Sequence, residues 1–246
     1  MSAATMNKIL LAFIFLTSLC VQATAQPKQD TAFVSLGQRN AVELYRKALG
    51  PQSPIYNGSR YAAPKQTFEQ HPYFFSEDWL TGTVRYDGES FSDVPLMFDL
   101  LSDAVITEHL PSGHSIQLVP GKLEKFSIAG HSFEKIINDS VSNSLPRTGF
   151  YDVLYAGNTK VIASRQKFLR EKIEVRVITV TYEERNRYFM FKDGIFFPVR
   201  SKGSVLKLLD NRRQELKRFL KREKIIFSDN RELALKRLAE HYDNVK

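Results

Sequence analysis

The chain has 246 residues, 43% of them hydrophobic and 12% aromatic. This composition supports a packed core and excludes a protein that is disordered by composition. The formal net charge is +8, and the excess is concentrated between Arg200 and Lys224, where ten basic residues stand against three acidic ones. The basic character is therefore a local patch and not a property of the whole surface.

The N-terminal segment, residues 1–25, predicts a signal peptide. A positively charged residue precedes an apolar run from Ile9 to Leu19, and Ala23 and Ala25 are small residues at the positions that a signal peptidase reads. The apolar run is shorter than the ~20 residues that a membrane-spanning helix needs. We expect export, cleavage before the mature chain, and loss of Cys20, the only cysteine.

Two alternatives to simple cleavage before Gln26 stay open. Lipidation of Cys20 requires a small residue before the cysteine and favours a leucine three positions before it, whereas this sequence has Leu19 and Thr17 there. An uncleaved anchor conflicts with the short apolar run. The expected location is the periplasm or the outer-membrane side of a cell envelope, with no transmembrane span after cleavage.

A short helix is predicted from Asn40 to Leu49. Its apolar residues recur at helical spacing, and Gly50-Pro51 ends it. From Tyr73 to Val199 the pattern changes to short alternating runs separated by turns that contain glycine, which is typical of antiparallel strands. The turns we predict are Asp87-Gly88, Ser112-Gly113, Pro120-Gly121, Ala129-Gly130, Gly157-Asn158 and Asp193-Gly194.

About eleven strands follow from this pattern, and the short connections favour sequential antiparallel pairing. The run from Ile173 to Tyr182 is predicted as a single strand whose second half is covered on both faces, with the C-terminal helices as the cover. The predicted fold class is α+β, mainly β: an antiparallel meander sheet or barrel-like sheet with a C-terminal helical appendage. Residues 26–199 form the β domain, and residues 200–246 pack on it.

Helical periodicity returns after Ser201. Asp210 is predicted to cap a helix over Asn211–Arg222, and Asp229 with Glu232 resembles a capping box that starts a final helix. One face of the first helix is basic. The candidate partner-binding residues are Arg212, Arg213, Lys217, Arg218, Lys221 and Arg222.

This basic face suits anionic lipid headgroups, an acidic polysaccharide or an acidic envelope protein. The structural alternative is a solvated outer face of a packed helix. Nucleic acid is not predicted as a partner, because no recognition motif accompanies the charge and the expected compartment is wrong for it.

Motifs for catalysis or metal binding are weak. His109 and His114 flank a predicted turn and can approach each other, but zinc would need a third ligand such as Asp103 or Glu108. Clustered aspartates from Asp87 to Asp103 match no calcium loop. Three S-x-x-K matches lack the rest of an acyl-transfer signature. We predict no catalytic residue, no cofactor and no metal site.

Four segments together carry a resemblance: residues 43–61, residues 71–103, GFYDVLYAG at residues 149–157, and FFPVRSKGSVLKLL with ELKRFLKREKIIFSD near the C-terminus. The chain resembles exported envelope proteins of Bacteroidota over nearly the whole mature length. That resemblance implies a Gram-negative envelope. It comes with no assigned activity, so it transfers no functional residue.

Three functions follow as hypotheses. The first is a non-enzymatic exported envelope protein that binds a protein or ligand partner through the basic helix. The second is a carrier that holds a lipid or other apolar ligand within the curved sheet. The third is a hydrolase that uses clustered aspartate and histidine, for which His109, His114 or His131 must lie within hydrogen-bonding distance of a carboxylate in one cleft.

Overall fold

The computed structural model describes residues 31–64, 70–109, 112–138, 145–174 and 177–244, and the predicted signal peptide lies outside them. The chain divides into two compact units, one ending at Ser53 and the other running from Pro54 to Lys246. In the first unit, helix α1 spans Thr31–Leu49 and a 3-10 turn follows at Gly50–Gln52. The helix starts earlier than predicted and ends at Leu49 as predicted, where Gly50 adopts a φ of +46°.

The second unit contains one antiparallel sheet of eleven strands. The strands are β1 Ser59–Arg60, β2 Leu80–Tyr86, β3 Glu89–Asp99, β4 Ala104–His109, β5 His114–Gln117, β6 Leu123–Ile128, β7 His131–Ile136, β8 Gly149–Tyr155, β9 Val161–Glu174, β10 Val177–Lys192 and β11 Ile195–Pro198.

The strand order is β1-β5-β4-β3-β2-β6-β7-β8-β9-β10-β11. Two meanders, β2 to β5 and β6 to β11, are joined where β2 pairs with β6. Among the described strands, β1 and β11 are the edges, so the sheet is open. The predicted mainly antiparallel meander with C-terminal helices is confirmed, and the open form is the one that the chain adopts.

Three of the predicted turns have positive φ at both central residues, a geometry that Asp-Gly favours and that Ala129 adopts against its usual preference. In Asp87-Gly88, Ala129-Gly130 and Asp193-Gly194 both residues have positive φ, between 51° and 84°. Positive φ at both central positions defines the type I′ turn, whose twist matches that of the flanking strands. These turns fix the registers of the β2–β3, β6–β7 and β10–β11 hairpins.

The single strand predicted over Ile173–Tyr182 is wrong. Strand β9 ends at Glu174 and β10 begins at Val177, and the two pair from Val177 opposite Glu174 to Met190 opposite Val161. The sequence between them contains no Gly, Pro, Asn or Asp, so it gives no turn signal. The pairing of two long strands decides where the chain reverses.

Phenylalanine rings fill one core of the sheet. Phe126 stacks on Phe133 with ring centroids 4.8 Å apart, and Phe98 meets both edge-on at 5.1 Å. Phe150 approaches Phe126 at 5.4 Å. All four are buried, and each contributes about 2 kcal/mol by leaving water. Their packing explains the density of aromatic residues in the sequence.

Three helices cover part of the sheet: α2 Lys202–Leu208, α3 Arg213–Arg222 and α4 Arg231–Asn244. Their buried side chains share a second core with Val161 and Met190 of the sheet. Partly buried Tyr188 packs against the same core. The helices therefore cover the β9–β10 pair at the Val161–Met190 end, whereas Tyr182 is not part of this core.

Both capping predictions for these helices are wrong. A 3-10 turn at Asp210–Arg212 precedes α3, and the Asp210 carboxylate lies 3.7 Å from Arg213 instead of accepting a cap hydrogen bond. At α4, Asn230 accepts a hydrogen bond from the Leu233 amide at 2.9 Å, one residue after the predicted cap. Glu232 does not close a capping box, because Arg165 and Tyr188 bind it.

Candidate functional site

Helix α3 has two chemically distinct faces. Leu216, Phe219 and Leu220 are buried in the helical core, as their spacing predicts. Residues on the opposite side, Arg213, Lys217, Arg218, Lys221 and Arg222, are exposed. We call these five residues the basic face. Because the apolar side of α3 is packed, the cations are presented on a fixed helix.

Three of the five cations, Lys217, Arg218 and Lys221, form no salt bridge within the part of the chain that the structure describes. Arg213 has Asp210 at 3.7 Å, and Arg222 has Glu223 at 3.2 Å. The middle of the basic face is therefore an unneutralised patch of positive charge.

The sixth predicted residue, Arg212, differs from the others. Its guanidinium lies over the Tyr242 ring at 5.4 Å and donates a hydrogen bond of 3.5 Å to the Tyr242 carbonyl. It is half-buried, so it connects the start of α3 to the end of α4. We count Arg212 as a structural contact and remove it from the exposed binding set.

The spacing within the basic face works against helix stability. Arg213 and Lys217, Lys217 and Lys221, and Arg218 and Arg222 are like-charge pairs at i, i+4. Each such pair destabilises a helix by about 0.2–0.5 kcal/mol. Lys221 and Arg222 offset part of this cost, because cations are favourable in the last turn of a helix. Helix stability alone would therefore not favour the charge pattern of the basic face.

Specific contacts attach α3 to α4. His241 of α4 stacks on Phe219 with ring centroids 4.0 Å apart and lies 3.0 Å from the Glu215 carboxylate. At the end of α4, Asp243 accepts hydrogen bonds from Tyr155 at the end of β8 and from Thr159 in the β8–β9 connection. The two helices are thus fixed to each other and to the sheet.

Arg165 anchors α4 from inside the sheet. Its guanidinium binds both Glu232 oxygens at 3.0 and 3.1 Å and donates to Asp152 at 2.7 Å. Tyr188 donates to the same Glu232 at 2.9 Å. Burial alone would raise the pKa of Glu232, but the hydrogen bond and charge of Arg165 outweigh burial and lower it. Burial and Glu232 together raise the pKa of Tyr188 to about 12.

The structure separates the predicted histidine cluster. His109 and His114 are register partners in the β4–β5 hairpin, as their spacing predicts, and His109 Nδ1 lies 2.6 Å from the Ser112 hydroxyl. His131 lies 2.8 Å from the Asp152 carboxylate. The Asp152 side chain is 1% exposed and already bound by Arg165, whereas the His131 side chain is 33% exposed, so this pair lies at the edge of the Arg165 ion network. Among the described residues, no three His, Asp, Glu or Cys side chains are grouped to hold a metal.

The clustered aspartates have separate structural contacts. Asp87 forms a turn and binds Lys122 at 2.8 Å. Asp93 has a φ of 56° within β3. Asp99 is buried and accepts from the Tyr61 hydroxyl at 2.9 Å and from the Leu101 amide at 2.8 Å. Asp103 pairs with Arg147 at 3.3 Å, although burial raises its pKa. The charge of Asp99 also contributes to raising the pKa of Asp103.

A second basic feature appears only in three dimensions. A groove of about 570 Å³ lies where β11 ends beside β10 and α4 begins. We call it the arginine groove. Its lining residues are Pro146, Asn186, Arg187, Tyr188, Phe189, Pro198, Val199, Arg200 and Arg231. No sequence pattern reveals this groove, because its three arginines come from three separate segments of the chain.

Comparisons with known proteins do not assign the chain to a family. No family model matches the chain, and neither the curated proteins nor the solved structures include a significant match. In the described part of the chain, no helix has both the length and the apolar character needed to cross a membrane. The basic face and the arginine groove are therefore the features of the molecule that point to a function.

Proposed function

We propose that this chain is an exported, non-enzymatic protein of a cell envelope that binds an anionic phospholipid surface through the basic face of α3. The observation that carries the proposal is the unneutralised patch of Lys217, Arg218 and Lys221 on a helix that is packed along its other side. Each Lys or Arg near an anionic membrane contributes about 1 kcal/mol of attraction.

A lipid surface fits this patch better than a shaped protein partner. The cations are spread along two turns of helix, and a fluid layer of anionic headgroups can rearrange to match them. Ile226 follows the C-terminal end of α3, and 59% of its surface is exposed. An apolar side chain beside a row of cations is typical of a surface that rests on headgroups.

The two other hypotheses have less support. The rings of Phe98, Phe126, Phe133 and Phe150 pack against one another in the sheet core, which a carrier would need to keep open. A hydrolase would need a reachable histidine–carboxylate pair. His131 does lie 2.8 Å from Asp152, but that carboxylate is 1% exposed and is bound by Arg165. The His241–Glu215 pair joins α4 to α3. An acidic envelope protein remains the competing partner, and the experiment below distinguishes it.

Vesicle co-sedimentation at low salt tests the proposal. The exported protein is mixed with vesicles of phosphatidylethanolamine and phosphatidylglycerol, and separately with neutral phosphatidylcholine vesicles. We expect binding to the anionic vesicles only. The variant Lys217→Glu/Arg218→Glu/Lys221→Glu should bind at least about tenfold more weakly.

A charge-matched control makes this test specific. Arg60, Lys125 and Lys236 are exposed cations outside the basic face, and reversing all three changes the net charge by the same amount. The control variant should keep most of the binding. Equal loss in both variants would indicate nonspecific attraction, and full binding by the α3 variant would overturn the proposal. Failure of the wild type to bind anionic vesicles would favour an acidic protein partner.

A further inference from the structure

The arginine groove has a positive lining, and none of the described residues that line it is acidic. Arg187, Arg200 and Arg231 are all exposed and, within the described chain, none forms a salt bridge. Two acids contact lining residues: Glu232 accepts from the Tyr188 hydroxyl, and Glu184 accepts from the Asn186 amide. Arg165 is shared between Glu232 and Asp152, so that cluster keeps one net negative charge and Glu184 adds a second. The three arginines outnumber these two charges, and the groove stays net positive.

Tyr188 forms a firm wall of the groove. Its hydroxyl is held by Glu232, and the Arg231 guanidinium lies over its ring at 5.7 Å. Val199 donates its amide to the Tyr188 carbonyl at 2.9 Å, which holds the end of β11 against β10. The aromatic ring and Pro198 give the groove apolar surface beside its cations.

The position of Arg231 adds to the positive potential. Arg231 is the first residue of α4, a helix of 14 residues, and the N-terminal end of a helix carries partial positive charge. A guanidinium presents planar N–H donors that match the oxygens of phosphate in pairs. Three of them around one groove suit a ligand with more than one negative charge.

We propose that the arginine groove binds a small organic phosphate, with the phosphate among the three arginines and an apolar or ring-shaped body against Tyr188 and Pro198. A volume of about 570 Å³ lies in the range of small-molecule sites and exceeds what one phosphate ion fills. The groove does not include the basic face of α3, so this site stands independently of membrane binding.

Isothermal titration calorimetry with three probes tests the site. Phenyl phosphate presents the dianion and a ring, inorganic phosphate presents the anion alone, and phenol presents the ring alone. We expect saturable binding of phenyl phosphate, weaker binding of inorganic phosphate and none of phenol. The Arg187→Gln/Arg231→Gln variant should lose at least about tenfold in affinity for phenyl phosphate.

The control variant is Arg60→Gln/Arg85→Gln, which removes two exposed arginines elsewhere on the sheet. It should change the affinity by less than about twofold. Circular dichroism checks that both variants are folded, and Arg200→Gln provides a second, independent test of the groove. The proposal is overturned if neither phosphate saturates the wild type, or if the control loses as much as the groove variant.

Discussion

Arg165 of β9 and Glu232 of α4 form a two-point ion pair, with guanidinium–carboxylate distances of 3.0 and 3.1 Å. The Arg165 side chain is only 6% exposed, and it also binds Asp152 of β8. One buried cation therefore joins two strands to the helix that supports the basic face. Removing either partner would leave a buried charge incompletely satisfied.

Replacing Glu232 should destabilise the whole second unit. Glu232→Gln keeps the side-chain shape but removes the charge that Arg165 and Tyr188 bind. We expect the free energy of unfolding to fall by about 2 kcal/mol, measured by urea denaturation. Glu124→Gln is the control, because Glu124 pairs with Arg85 at an exposed site, and it should cost less than about 1 kcal/mol. An equal loss of unfolding free energy in both variants would contradict a larger stabilising role for the Arg165 network.

The same pair predicts an acid-dependent stability. The folded-state pKa of Glu232 lies below its ordinary value of 4.5, so its contribution is complete above that pH and is lost as the pH falls through the folded value. The stability difference between wild type and Glu232→Gln should therefore be constant above about pH 5 and shrink as the pH falls from there through the lowered pKa of Glu232. A difference that stays constant through that fall would contradict the assignment.

Two turn glycines, Gly88 between β2 and β3 and Gly121 between β5 and β6, differ in backbone conformation. Gly88 has a φ of +80° and Gly121 does not have positive φ, while an added methyl would meet no atom within 4 Å at either position. Gly88→Ala should cost about 1–2 kcal/mol from backbone strain alone. Gly121→Ala should be nearly neutral or slightly stabilising. Thermal denaturation of both variants measures the difference, and equal melting temperatures would refute the strain argument.

Truncating one ring should open the aromatic core. Phe133 is fully buried among Phe98 and Phe126, so Phe133→Ala should lower the free energy of unfolding by about 3–5 kcal/mol. Phe168 is 38% exposed with Arg185 over its ring, and Phe168→Ala should cost much less. Chemical denaturation provides both values. A small cost at Phe133 would mean that the core is loosely filled, as the carrier hypothesis requires.

The sequence predicts those parts of the fold that short-range chemistry decides. Asp87-Gly88 and Asp193-Gly194 specify type I′ turns because few other residue pairs tolerate positive φ twice. The buried stripe of Leu216, Phe219 and Leu220 follows from helical spacing. The residues of the basic face are also visible as a charge cluster in one segment, since neighbours on a helix are neighbours in sequence.

Features that depend on distant partners escape sequence analysis. The β9–β10 reversal contains no residues typical of turns. Its position is set instead by the 14 residue pairs that join the two strands. The true α4 cap, Asn230, lies one residue from the predicted one, and Glu232 is diverted by Arg165, 67 positions earlier. The arginine groove depends on how β10, β11 and α4 meet, which no local pattern encodes.

The salt dependence of vesicle binding tests the central claim most directly. The protein should bind phosphatidylglycerol-containing vesicles at about 50 mM salt and lose at least about tenfold in affinity by about 500 mM, because salt screens exposed charges. Binding that persists unchanged at high salt, in wild type and in the Lys217→Glu/Arg218→Glu/Lys221→Glu variant alike, would show that the basic face of α3 is not the contact.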